Sequence, residues 1–191
     1  MKIALDFDNV LAHTTQLWVE ICNHRNNGAK MITTRDVESW DFWKNMGLDK
    51  EEAFQIFDIC WSAWRQIPSL EHEPEQKTKM LNNLGEVDIV TSVKPDHSID
   101  IRMWLEKFNV HFNELVFSKE KYKLNYDLYI DDSPDNAIEI SKAGKICLLY
   151  NQPWNREIKE SENISRVYNL YHAIDTIRDI IDRGKEGSYR A

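Results

Sequence analysis

Cysteine is scarce in this chain of 191 residues: there are three, Cys22, Cys60 and Cys147. Their number is odd and their spacing wide. No CxxC pair and no Cys/His zinc spacing occurs, which argues against a disulfide framework and reads as reduced thiols in a cytoplasmic protein. Long apolar runs are missing as well, and none approaches the ~20 residues of a membrane helix. A strand-like run begins at residue 2, so no basic stretch followed by a signal-peptide core is present. Positive charge is in deficit, with 24 Lys plus Arg against 32 Asp plus Glu and a net charge of −8. A field of that sign disfavours an extended nucleic-acid surface but leaves room for a small phosphorylated ligand held by a few local cations. Repeats and low-complexity segments are absent. What remains is a globular composition, 42% hydrophobic and 29% charged, sized for one domain or for a core with a small inserted subdomain. Nothing in it excludes a homodimer.

Two kinds of sequence alternate along the chain. The first is short runs rich in Val, Ile, Leu and Tyr, each ending in polar residues: 2–7 (KIALDF), 87–91 (VDIVT), 115–118 (LVFS), 127–132 (DLYIDD) and 145–150 (KICLLY). Near-continuous apolar runs mark strands buried on both faces. Helical spacing follows the later runs, at Ile101, Trp104, Leu105 and Phe108, at Ala137 and Ile140 before a C-terminal Gly144, and at Leu170, Ile174, Ile177 and Ile181. Strands alternating with helices predict a parallel sheet with right-handed crossovers. The fold expected is α/β, a Rossmann-like three-layer core with a five-stranded parallel sheet. The second kind of sequence, residues 13–70, has no clear strand and holds five of the seven tryptophans, Trp18, Trp40, Trp43, Trp61 and Trp64. Helices are expected at 15–26 and 50–66. This stretch reads as a small helical cap inserted after the first strand, leaving 1–12 and 71–191 as the core. The polar tail from residue 184 onward is expected to fray.

Ligands of such sheets bind outside the carboxyl ends of the strands. The first run ends with Asp6 and Asp8, which a period of two puts on one side. The second ends at Thr91 and Ser92, and the fourth at Asp131 and Asp132. Lys121 lies just past the third. Converging carboxylates repel one another unless a cation stands among them, and the hard cation that keeps waters and takes a substrate phosphate is Mg²⁺. A hydroxyl and a lysine beside it suit a phosphoryl group, so the set describes phosphoryl transfer.

The ordered set Asp6-Phe7-Asp8-Asn9-Val10, Thr91, Lys121 and Asp131-Asp132 resembles the four motifs of the haloacid-dehalogenase-like (HAD) phosphohydrolase superfamily. Residues 6–12 (DFDNVLA), Phe42-Trp43, Thr91-Ser92 and the LYIDD ending are most similar to the 5′(3′)-deoxyribonucleotidases. Asn9 stands where that family commonly has Gly, and His13 and Thr14 where it tends to have an acidic and then an aromatic residue. The resemblance implies Asp6 as nucleophile forming an aspartyl-phosphate, and Asp8 as the acid and then the base. It implies Thr91 and Lys121 on the phosphate, Ser92 among the substrate-binding residues, and Mg²⁺ held by Asp6, the Asp8 carbonyl and Asp132, with Asp131 a ligand or a neighbour of one. Spacing does not choose among Lys119, Lys121 and Lys123; the family places its lysine ten positions before the first aspartate of the pair, which is Lys121. Phe42 and Trp43 are divided between cap core and a platform for a nucleobase.

The expected function is therefore a Mg²⁺-dependent phosphomonoesterase, a cytoplasmic nucleotidase releasing phosphate from (deoxy)nucleoside monophosphates. A HAD phosphatase for another small ester or a polynucleotide end is the rival within enzymes. A non-catalytic phosphoacceptor or ligand-binding module is the rival from another class. Asp135 and Asn136 read as a helix cap and first-turn residues, Trp18, Trp61 and Trp64 as core, the cysteines as small buried apolar groups, and His13 as a bystander.

Overall fold

The computed structural model describes residues 1–25 and 31–188. Its elements are β1 (Lys2–Leu5), α1 (Thr14–Arg25), α2 (Lys50–Ser62), α3 (Pro74–Asn82), β2 (Glu86–Thr91), α4 (Ser98–Lys107), β3 (Leu115–Phe117), β4 (Leu128–Asp131), α5 (Pro134–Lys142), β5 (Ile146–Tyr150), β6 (Ile164–Val167) and α6 (Leu170–Ser188). Residue 26, expected to end the first helix, and residues 189–191 of the tail lie outside the described residues. Short 3-10 turns at Thr34–Asp36, Phe42–Met46 and Trp64–Gln66 complete the insertion.

The sheet is parallel throughout and has six strands, in the order β3-β2-β1-β4-β5-β6. The expectation of five is corrected by β6, whose sequence ISRV alternates instead of running apolar. It is an edge strand, so its polar side chains need not be buried. Residues 184–188 of the tail belong to α6. The helix α3 was not marked by periodicity, since its inward face is Lys77, Thr78 and Leu81, and the two polar residues are satisfied by partners elsewhere in the chain.

Alternation along each strand builds two apolar layers. Ile3, Leu5, Val87, Ile89, Leu128, Ile130 and Leu148 face Leu81, Trp104, Ile174 and Ile177 on one side. Ala4, Val90, Tyr129, Cys147 and Leu149 face Ala137 and Ile140 of α5 on the other. The helix ends are set locally: Ser133 accepts the Asn136 N–H ahead of Pro134 in α5, and Gly144 takes φ 74° just beyond its last turn. In α2, Asp49 and Glu52 form a reciprocal capping box.

The helical insertion shares the first of these layers. Trp61 of α2 stacks on Phe7 at 4.9 Å, and Trp104 meets the same ring edge-on at 5.1 Å. Entry and exit of the insertion are paired: the His13 N–H donates to Pro68, and the Leu70 N–H donates to Leu11. Just beyond this neck, buried Glu71 accepts from Lys77 (2.6 Å), Tyr150 (2.7 Å) and the Leu170 N–H (2.6 Å), fastening the exit strand to β5 and α6.

Removing Glu71 strands a buried ammonium. Glu71→Ala is expected to lower unfolding stability by about 3–5 kcal/mol in urea titration, and Glu71→Gln, which keeps hydrogen-bonding capacity, by less. A loss below about 1 kcal/mol for the alanine variant would show that this clamp does not hold the neck.

Candidate active site

The order of this sheet reverses direction at β1 and β4, the two central neighbours, and a crevice opens outside their carboxyl ends. Asp6 follows β1 directly; Asp131 and Asp132 end β4. One carboxylate oxygen from each of Asp6, Asp131 and Asp132 lies within 4.8 Å of the others, and all three residues are buried.

Lys121 reaches this cluster from the β3–β4 connection. Its ammonium stands 2.6 Å from Asp6 Oδ1 and 2.8 Å from Asp131 Oδ2, and only 2% of its side chain is exposed. Burial pulls the lysine pKa down, but the charges of Asp131 and Asp6 more than reverse this and hold it above its ordinary value. Tyr129 fixes the turn around it by donating to the carbonyls of Lys121 and Leu124. Lys119 is exposed, and Lys123 is exposed and paired with Glu120, so neither joins the cluster.

The two aspartates of the β4 pair differ in what they have left to give. Asp131 Oδ1 accepts from the Ser133 N–H and the Asn136 amide, and Oδ2 accepts from Lys121 and the same amide. Both oxygens are committed. Asp132 accepts one hydrogen bond on Oδ2, from the Trp154 indole at 3.1 Å, and its Oδ1 has no partner among the described residues. Its carbonyl accepts from Asn155, which is itself gripped by Arg166 of β6. Asp6 also keeps an oxygen: Oδ1 takes Lys121 and the Phe7 N–H, while Oδ2 has no hydrogen-bond partner among the described residues.

Asp8 sits opposite. Thr14 donates to its Oδ1 at 2.6 Å, and the Thr91 hydroxyl lies 3.5 Å from Oδ2. Burial pushes Asp8 up to about 6, against the Thr14 hydrogen bond, the Lys121 charge and the nearby Thr91 and Trp61 side chains. Burial likewise pushes Asp6 up to about 7, with Lys121 opposing and the Asp131 charge adding. Asp132 is raised well above the usual carboxylate range by burial and then by Asp6 and Asp131. Four acids thus face one lysine, and the donor atoms are all oxygen. That surplus of negative charge on hard donors suits a divalent cation.

The structure brings Asp6, Asp8, Thr91, Lys121, Asp131 and Asp132 together. Ser92 stands at the rim and donates to the Ser118 carbonyl. Phe42 is buried edge-on against Trp18 at 4.8 Å, and Trp43 packs on Phe42 and Phe54. Asn9 adopts φ 56°, the left-handed turn that an asparagine tolerates, and its side chain accepts the Thr15 N–H.

Sequence reasoning missed Thr14, Trp154 and Asn155. It also read Trp61 as core only and Asn136 as a first-turn residue, whereas Asn136 is a main support of Asp131. The signal for Trp154 and Asn155 lies in their position, just beyond the carboxyl end of the fifth strand. Thr14 sits where the sequence departs from the family pattern.

The family model described as 5′ nucleotidase, deoxy (pyrimidine), cytosolic type C protein matches residues 1–181. A protein named nucleotidase from Clostridium acetobutylicum is 26% identical over 189 residues, covering 96% of this chain and 94% of that one. Among solved structures, a haloacid dehalogenase-like hydrolase from Streptococcus pneumoniae superposes with a TM-score of 0.63 at 13% identity, covering 92% of this chain and 97% of that one. A haloacid dehalogenase-like family hydrolase from Xanthomonas campestris gives 0.62 at 9% identity, covering 97% and 98%. The reach of the family model over nearly the whole chain and the carboxylate–lysine crevice agree: this chain belongs to the 5′ nucleotidase, deoxy (pyrimidine), cytosolic type C family, a nucleotidase on the haloacid-dehalogenase-like fold.

Proposed function

We propose that this nucleotidase is a Mg²⁺-dependent phosphomonoesterase acting on (deoxy)nucleoside monophosphates through an aspartyl-phosphate on Asp6. The observation that carries the reading is the asymmetry of the Asp6 carboxylate. One oxygen is pinned by Lys121 and a backbone N–H, and the other has no hydrogen-bond partner among the described residues. A pinned carboxylate with one available oxygen is an oriented nucleophile that needs no separate base once it is anionic.

In this reading the Asp6 carboxylate attacks phosphorus, forming an acyl-phosphate bond as the ester P–O bond breaks. Asp8 donates its proton to the leaving alkoxide. Burial supports that role by raising Asp8 to about 6, where a protonated fraction persists near neutrality. Water then attacks phosphorus, Asp8 takes its proton, inorganic phosphate leaves and Asp6 is restored. Thr91 and Lys121 hold phosphoryl oxygens, and Lys121 offsets charge that builds between Asp6 and phosphate. Mg²⁺ is assigned to Asp6, the Asp8 carbonyl and Asp132, where its charge would keep the Asp6 and Asp132 carboxylates ionised and neutralise the phosphoryl group. Asp131 is assigned to holding Lys121, because its oxygens are already taken. Residues 13–70 are assigned as the cap, with the 1–12 and 71–191 core beneath it, excluding water from the acyl-phosphate.

A phosphate-release screen over deoxy- and ribonucleoside monophosphates, with sugar phosphates as controls, tests the reading. Turnover is expected for nucleotides, abolished by chelation and restored by Mg²⁺. Asp6→Asn is expected to lose roughly 10³-fold or more in kcat with its circular dichroism unchanged; full activity in that variant would remove the covalent mechanism.

The division of labour at β4 gives a second test. Asp132→Asn is expected to raise the Mg²⁺ concentration giving half-maximal activity about 10–100-fold, whereas Asn136→Ala should lower kcat about tenfold and move that Mg²⁺ requirement little. The reverse pattern would make Asp131 the ligand.

A further inference from the structure

A cavity of about 470 Å³ opens beside the crevice, between the Thr34–Asp36 turn of the insertion and the loop after β5. Its wall is bonded directly to the catalytic turn. Trp154 donates to Asp132, Gln152 donates to the Asn9 carbonyl at 2.7 Å, and the Thr15 N–H donates to the Asn9 side chain at 3.1 Å. The cavity is thus tied by three hydrogen bonds to Asn9 and Asp132, which flank the crevice where Asp6 stands. Its size falls within the range of small-molecule sites.

The notable lining groups are two guanidiniums, Arg35 from the insertion and Arg156 from the core loop. Neither makes a hydrogen bond or ion pair with any described residue, and both side chains are exposed. Other cations nearby are occupied: Lys121 on Asp6 and Asp131, Lys77 on Glu71, Lys94 on Asp58, and Arg166 on Asn155 and Ile158. Two unpaired arginines on one cavity, in a chain of net charge −8, make a local positive spot in a negative field. Glu38 also lines the cavity and is paired with neither, so it offsets one of the two charges. His13 adds a ring that burial holds toward its neutral form.

Guanidinium groups bind phosphate with paired, directional hydrogen bonds. We propose that this cavity is a second anion subsite, and that the preferred substrates are small phosphomonoesters carrying a second phosphate, of the nucleoside 3′,5′-bisphosphate kind. One phosphate would sit on Asp6 and the other between Arg35 and Arg156. The proposal rests on the phosphomonoesterase reading and narrows its substrate class.

The test compares a deoxynucleoside 3′,5′-bisphosphate with the matching 5′-monophosphate, for each of the four bases. Wild-type kcat/KM is expected to favour the bisphosphate by about tenfold or more, mostly through KM. Arg35→Gln with Arg156→Gln should remove that preference while leaving monophosphate kinetics within about twofold. Glu38→Gln should lower KM for the bisphosphate alone, a change that a merely structural role would not produce. Equal preference in wild type and double variant, or an equal loss on both esters, overturns the subsite. If wild type turns over neither ester, the phosphomonoesterase reading is what fails. The subsite is then decided by calorimetric titration of both compounds into Asp6→Asn protein in Mg²⁺, with and without the two arginine changes. Tighter binding of the bisphosphate that depends on the arginines supports it, and indistinguishable binding overturns it.

Discussion

The site depends on one buried ammonium. Lys121 stands between Asp6 and Asp131 with almost no exposure, and without it two desolvated carboxylates from adjacent central strands would face each other unpaired. Leaving a buried charge without its partner costs several kcal/mol, more than most single contacts return. The fold therefore has to deliver a lysine to this spot, and it fixes the turn that carries it. Tyr129, on the buried face of β4, hydrogen-bonds the carbonyls at both ends of that turn, and Lys145 donates to the same loop at Tyr122. The strand bearing Asp131 thus also holds the backbone of the lysine that neutralises it.

The remaining charge imbalance is the functional part. One lysine cannot satisfy four acids, and burial raises Asp6, Asp8 and Asp132 above the usual carboxylate range. A protein optimised only for stability would not keep such a set. What surrounds it is chosen to supply single donors and exclude water. Trp154 from the core loop gives its indole N–H to Asp132, and Trp61 from the insertion stands beside Asp8. Each ring covers apolar surface and offers one polar atom, so it can shape an acid's environment without admitting solvent.

Much of this was legible in the sequence because chemistry restricts residue type. Only carboxylates could fill the roles proposed for Asp6, Asp8 and Asp132, and parallel strands place them at run ends, so apolar runs followed by acids located the crevice. The β6 strand was not legible, because an edge strand can alternate and carry Arg166. Helix α3 hid for a related reason: Lys77 and Thr78 point inward, where Glu71 and the His111 N–H satisfy them. Supporting residues escaped for another reason. Thr14, Asn136 and Asn155 each supply one or two hydrogen bonds, a task that many residue types perform. Trp61 and Phe42 show that aromatic content alone does not sort core from site. Trp61 stacks on Phe7 and also stands beside Asp8, while Phe42 is buried against Trp18.

These supports also show why distant edges of the molecule bear on a few atoms at its centre. Arg166, on the outermost strand, bonds Asn155 and the Ile158 carbonyl, and Asn155 holds the carbonyl of Asp132. On the other side, the neck pairs residues 11 and 13 with 70 and 68, one step from the Thr14 hydroxyl that grips Asp8. The strand that leads into Asp6 is central and pinned by its neighbours on both sides. The proposed acid is instead tied through Thr14 to the start of the insertion, so its orientation and the seating of the insertion are set by the same few hydrogen bonds. Asp6 is held by the sheet and Asp8 by the neck, so the two carboxylates of one crevice are positioned by different parts of the chain.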